Sequence, residues 1–246
     1  MRLLDITLDL ETCSLSSHAA IMQIAAVAWD RFSAIDTLMF FSPDATTAGQ
    51  TEHFVSTIDL NSKFVEGVWD FDQNTSGWWG KQKREAKRAV ADDPTSAPVA
   101  VKTRLQSQEL LNNALACLDD WIRKTLAAHN ADNFCLWCQG TDFDIPILRY
   151  AADQTRCNKL LPMALHHKFF RDCRTAIYEC VGAWLDREDV EQPYNRLDLL
   201  KDPTLAYKLL PELPETFGNR ESTHDALYDC VRSSWFTWQA LRLLLS

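Results

Sequence analysis

Five residues in three windows of the sequence have the types and spacing of a hydrolytic metal site. They are Asp9 and Glu11 in ITLDLET, Asp144 in GTDFDIPIL, and His224 with Asp229 in THDALYDC. Four carboxylates and one histidine are what a protein needs to hold two divalent cations and take a proton from a water molecule. An Asp-Xaa-Glu alone says little, because it occurs by chance in most chains. Three such windows in order, each flanked by strand or helix signals, say much more.

The flanking elements decide whether these side chains can meet. Asp9 and Glu11 are two apart at the end of an apolar stretch, residues 3–10. On a strand that spacing puts both on one face, about 7 Å apart along the chain. Two carboxylates on a buried strand are costly unless a cation compensates. The bland alternative, an exposed strand end, conflicts with the buried character of Ile6, Leu8 and Leu10. Asp144 follows Phe143 at the start of a helix (around 147–152) that Gly140 turns into from a short strand, 134–139. Ligand sites in α/β sheets gather at the carboxyl ends of strands, although Asp144, like Asp142, could simply cap the helix. His224 and Asp229 are five apart, and on one continuous helix would point about 140° away from each other. They converge if His224 lies in the loop before the helix and Asp229 on its second turn. Gly218, Glu221, Ser222 and Thr223 upstream favour a loop there.

The order of elements is that of an α/β protein. Residues 3–10, 21–29 and 53–60 read as three early strands joined as an antiparallel meander. Thr75 or Ser76 would cap a helix through residues 78–91, closed by Asp92, Asp93 and Pro94; 96–101 is a loop. Apolar residues from Leu105 to Leu126 recur at helical spacing. Further helices are expected at 174–185, capped by Asp172, and at 227–245. Residues 186–222 are acidic and hold four prolines, and read as a partly irregular insertion. One α/β domain over 1–246, with a mixed central sheet flanked by helices, accommodates all of this.

Composition bounds the partners. The chain has 246 residues and a net charge of −9, which is the wrong sign for holding nucleic acid by charge alone. Bound cations or a local basic strip could still serve a short segment. The first residues do not read as a signal peptide, since Asp5, Asp9 and Glu11 come too early, and the longest apolar run, 19–29, is too short to span a bilayer and contains Gln23. The expected place is therefore a cytoplasm, that of a bacterial host if the protein is phage-encoded. Cys135 and Cys138 form a Cys-Xaa-Xaa-Cys, but no second pair completes a metal site, so both read as core residues.

The three windows, with DLETCSLSSHAAIMQIAAVAWD, GWWGKQKREAKRAV, LWCQGTDFDIPIL and FFRDCRTAIYE, resemble the DEDDh branch of the DnaQ-like 3′–5′ exonucleases, in the RNase T-like group. The tyrosine branch would place Tyr four residues before Asp229, where this chain has Asp225. The resemblance implies an RNase H-like (exonuclease) fold. It also implies that Asp9, Glu11, Asp144 and Asp229 hold two Mg²⁺ or Mn²⁺ ions roughly 4 Å apart, and that His224 acts as general base. The expected activity is removal of nucleoside 5′-monophosphates from single-stranded 3′ ends, DNA favoured over RNA. Activity should rise with pH through the histidine's titration. Family members usually carry Gly in the loop after Asp-Xaa-Glu-Thr, where this chain has Cys13 and Ser14; that loop makes Thr12 and Leu15 candidate contacts to the terminal nucleotide.

Weaker signals surround this set. Trp78 and Trp79 precede a basic run, Lys81 to Arg88, and aromatics beside cations can grip single strands; buried rings are the favoured reading here. Arg174 could contact substrate or hold an active-site carboxylate. The last helix, with Trp235, Phe236, Trp238, Leu241 and Leu244, could support a homodimer or pack on the sheet. Competing functions are an exoribonuclease, a catalytically silent module that binds nucleic acid or a partner, and a hydrolase of free nucleotides.

Overall fold

The two faces of the first strand differ in chemistry, and that difference organises the molecule. In β1 (Leu3–Thr12) the even residues Leu4, Ile6, Leu8 and Leu10 are buried in one apolar layer. The odd residues include Asp5, Thr7, Asp9 and Glu11. The computed structural model describes residues 2–32, 53–58, 60, 69–82, 90, 110–155, 166–187, 191–214 and 224–244. Within these, β2 (Ile21–Trp29) runs antiparallel to β1, with Asp9 opposite Ala25 and Glu11 opposite Gln23. Strand β3 (His53–Thr57) pairs antiparallel with β2, completing the expected meander. Strands β4 (Asn133–Cys138) and β5 (Phe170–Asp172) run parallel to β1, and the mixed sheet has the order β3-β2-β1-β4-β5.

Helices cover both faces, as a sheet buried on two sides requires. The helices α1 (Gln73–Lys81), α2 (Leu111–Ala128), α3 (Thr141–Gln154), α4 (Cys173–Leu185), α5 (Arg196–Lys201), α6 (Leu205–Lys208) and α7 (Ala226–Leu243) follow in chain order. Leu115 and Leu118 of α2 and Ile147 and Leu148 of α3 pack on the even residues of β1. Ile177 and Val181 of α4 and Val231 and Trp238 of α7 pack on the other face with Val27, Trp29 and Trp137. Cys135 and Cys138 fall in these two opposite layers, as free thiols, so they cannot share a site. Trp235, Phe236 and Trp238 of α7 are buried within the chain, while Leu244 at the helix end is 53% exposed. No described helix is long and apolar enough to cross a membrane.

Three expectations need correction. Helix α1 starts at Gln73, because Asp72 outcompetes Thr75 and Ser76 as cap: its carboxylate accepts both the Thr75 N–H and hydroxyl at 2.9 Å. The helix ends at Lys81, where Gln82 turns extended; residues 83–89 and 91 of the expected helix, most of the basic run, and residues 96–101 and 105 lie outside the described residues. Helix α3 begins at Thr141, six residues earlier than the apolar pattern suggested, because the Asp172 carboxylate accepts the Thr141 amide from another element. Within the expected insertion the described residues 191–214 hold two short helices: α5 opens with an Asn195–Asp198 capping box, and Leu199, Ala206 and Leu210 are buried in the core. Finally, Asp229 lies in the first turn of α7, not the second.

Candidate active site

The carboxyl ends of β1 and β4 open into a cavity of about 380 Å³. It is lined by Asp9, Leu10, Glu11, Gln139, Phe143, Asp144, His224, Asp229 and Arg232. All five residues of the three windows are there, and a different element delivers each group. Asp9 and Glu11 come from the odd face of β1, where the pairing with β2 slips its register between Glu11 and Thr12. Asp144 comes from the first turn of α3. Gly140 before it has φ +117°, a conformation that residues with side chains rarely adopt, and the Arg174 guanidinium lies where a β-carbon would sit. Asp172 fixes this corner by capping two helices: it accepts the amides of Thr141 and of Thr175. Asp144 is thereby held 2% exposed at the cavity wall.

His224 and Asp229 meet through a fold-back of the chain. His224 has φ +69°, a left-handed conformation unusual for a residue with a side chain. Its amide donates to the Asp229 carboxylate at 2.9 Å. Asp225 caps α7 by accepting the Leu227 amide, and Gln23 of β2 accepts the Ala226 amide at 2.9 Å. The start of α7 is thus tied to the strand beside Glu11. One ligand atom from each of Glu11, His224 and Asp229 lies within 4.8 Å of the others.

Crowding these acids together has an electrostatic cost. Burial pushes Glu11 up to about 9, with Asp229, Asp225 and Asp144 adding repulsion. Burial likewise lifts Asp144 to about 8, against the Leu10 amide and the Arg174 charge, which favour its ionised form. Asp9 is raised well above its ordinary value by burial, then by Asp144, Glu11 and Asp229. Asp229 is raised by burial despite the His224 amide and the charges of His224 and Arg232. Asp225 rises to about 6, again chiefly from burial. Protein cations near this group moderate Asp144 and Asp229 without restoring ordinary carboxylates. A pocket of mutually repelling acids is the charge pattern of a site for cations from outside.

The remaining candidates are more scattered. Thr12 is buried, and its hydroxyl donates to the Ser14 carbonyl at 2.7 Å. Leu15 is 77% exposed, beside an open hollow shared with Ser14, Ser16, Asp70 and Phe71. Arg174 lies over Gly140 and outside the cavity lining. Trp78 and Trp79 are not core residues, since α1 has no buried residue at all. Both rings instead make edge contacts to His224, with centroids 4.7 and 6.3 Å away. Sequence reasoning missed Gln139 and Arg232. Arg232 had a usable signal, because a residue three after Asp229 shares its helical face. Gln139 had none beyond following a strand.

The chain is similar to known exonucleases. A family model described as the 3′–5′ exoribonuclease Rv2179c-like domain matches residues 5–236. The chain is 24% identical over 244 residues to the exodeoxyribonuclease of Enterobacteria phage T4, covering 97% of this chain and 89% of that protein. Among solved structures, cell-death related nuclease 4 (CRN-4) superposes with a TM-score of 0.51 at 13% identity. That match covers 98% of this chain but 64% of the nuclease, and it is a likeness of fold.

Proposed function

Since the chain belongs to the 3′–5′ exoribonuclease Rv2179c-like domain family and has the mixed sheet of an RNase H-like exonuclease, we propose that it trims single-stranded nucleic acid from the 3′ end. Under this reading it hydrolyses the terminal phosphodiester, prefers DNA to RNA, and releases nucleoside 5′-monophosphates. The observation that carries the reading is the convergence of Asp9, Glu11, Asp144, His224 and Asp229 on one cavity at the strand ends.

The donor set suits Mg²⁺ or Mn²⁺, since carboxylate oxygens are ligands for hard cations and these carboxylates repel one another in the protein alone. Asp9, Glu11, Asp144 and Asp229 would hold the ions, which when bound would stabilise charge on the phosphoryl group and the departing 3′-oxygen. His224 would accept the proton of the attacking water as a neutral imidazole. Asp229 serves this step as well, because its bond to the His224 amide fixes where the ring is presented. Arg232, at the cavity wall, would offer its guanidinium to a phosphate oxygen.

Preference for DNA is supported by the phage T4 relative, an exodeoxyribonuclease matched over nearly its whole length. Preference for RNA is the second reading, supported by the description of the family. A time course on matched 5′-labelled single-stranded DNA and RNA, with Mg²⁺, Mn²⁺ or EDTA, tests both. A metal-dependent ladder shortening from the 3′ end is expected, faster on DNA. A faster RNA ladder would reverse the substrate order, and the absence of any ladder would overturn the proposal.

A further inference from the structure

The backbone of His224 is held from one side by Asp229, and its ring is met from the other side by α1. A residue with a side chain at φ +69° persists only where its surroundings fix it. Helix α1 is a poor helix by composition, with Gly77 and Gly80 bracketing the tryptophan pair. A β-carbon at either glycine would meet nothing within 4 Å among the described residues. Among the described residues, two hydrogen bonds tie the helix to the end of β1 instead. The Asp72 amide donates to the Cys13 carbonyl at 3.0 Å, and the Trp79 indole N–H donates to the Thr12 carbonyl at 3.0 Å. Trp79 also packs against the small cluster of Cys13, Ala20 and Met22. Trp79 is thus the anchor, tying α1 to the end of the strand that carries Asp9 and Glu11.

Trp78 is placed differently. It is 40% exposed, stands perpendicular to Trp79 at 5.1 Å, and meets the His224 ring edge-to-face at 4.7 Å and 83°. We infer that Trp78 is a positioning residue for His224: its ring holds the imidazole facing the cavity, while Trp79 holds Trp78. This inference rests on the proposed role of His224 as general base. It separates Trp78 from the simpler part of a platform for substrate bases, which would act on binding rather than on turnover.

A mutant cycle with purified full-length protein and Mn²⁺ tests it, using a 5′-labelled oligonucleotide under steady-state and single-turnover conditions. Trp78→Leu is expected to lower kcat roughly three- to tenfold, the worth of one aromatic pair, with KM within about twofold of wild type. Trp78→Phe, which keeps an aromatic edge, should recover most of the rate. In a His224→Ala background, Trp78→Leu should have no further effect on turnover. Because α1 has no buried residue, both Trp78 variants should melt like the wild type. A loss confined to KM, or an equal loss with and without His224, would overturn the inference and leave the exonuclease reading standing. An inert wild type, or a fully active His224→Ala protein, would overturn the reading of the site and this inference with it.

Discussion

Asp5 and Asp9 lie on the same face of β1, four residues apart, and the protein treats them differently. Asp5 is fully buried and accepts two bonds from the Arg31 guanidinium, at 2.9 and 2.5 Å, and one from the Trp137 indole at 2.7 Å. Arg31 stays ionised more firmly for it, chiefly through the hydrogen bond it donates to that carboxylate. Asp9 is surrounded by other acids: Asp144, Glu11, Asp229 and Asp225. Both pay the desolvation cost of a carboxylate removed from water. At Asp5 the chain supplies the compensating cation, so the acid is structural. At Asp9 the chain supplies further acids, so the carboxyl is neutralised by a proton or by a cation from outside. The same strand thus carries a completed ion pair at one end and half of one at the other.

Exchanging the two acids' fates is the sharpest way to break that comparison. Asp9→Ala should abolish hydrolysis while leaving the melting temperature in EDTA unchanged or higher, because a repelling charge has been removed. Calorimetric titration with Mn²⁺ should show weakened binding. An Asp9→Ala protein with full activity would end the metal assignment. His224→Ala should have the next largest effect, a fall in turnover of about two to four orders of magnitude, the usual worth of a general base. Metal binding should be retained. The nearness of the Glu11, His224 and Asp229 ligand atoms makes the other outcome informative: a variant that loses its metal would turn His224 from base to ligand.

The pH dependence of the metal-free protein follows from the same asymmetry. Glu11 rises from 4.5 to about 9 and Asp144 from 3.8 to about 8 on folding. The folded state therefore holds protons that the unfolded state has released, and stability falls as pH rises between those values. It is fully present below about pH 4 and lost as pH climbs through 8 to 9. Melting in EDTA should accordingly drop between pH 5.5 and 8.5. The stabilisation by saturating Mn²⁺ should grow over the same interval, since metal and protons compete for the same oxygens. Melting that rose with pH in EDTA would show that these acids have partners inside the protein.

How much of this was legible in the sequence depended on how local the cause was. Strand β2 runs over the residues its apolar stretch marks, and the shared face of Asp9 and Glu11 follows from a spacing of two. The His224 and Asp229 windows showed that a loop was needed. They did not show that a left-handed residue and a first-turn acid would close it, because that depends on Gln23, two hundred residues away, holding the Ala226 amide. Gln23 is a polar residue within the apolar run of β2, and its side-chain carbonyl helps to cap α7. Trp78 and Trp79 misled for the opposite reason. Large aromatics are usually buried, but here one seats a surface helix and the other faces the site. Asp172 read correctly as the cap of its own helix. That it also caps α3, and so helps place Asp144, was set by strand pairing rather than by spacing.

The smallest effect belongs to the other end of β1. Asp5→Ala removes the acceptor of both Arg31 and Trp137 and should cost about 3 kcal/mol of stability. That figure is drawn from broken buried pairs and orphaned buried donors. It is set at the low end because Arg31 retains 22% side-chain exposure and can turn toward water. Asp5→Asn keeps an oxygen for the Trp137 N–H but loses the charge facing Arg31, and should cost less. Folded protein of either variant should retain its rate per molecule and its affinity for Mn²⁺, since Asp5 does not line the cavity. Urea unfolding beside kinetics on the same samples measures both. If Asp5→Ala lost activity out of proportion to its folded fraction, the two ends of the strand would be coupled, and the division between a structural and a functional acid would fail.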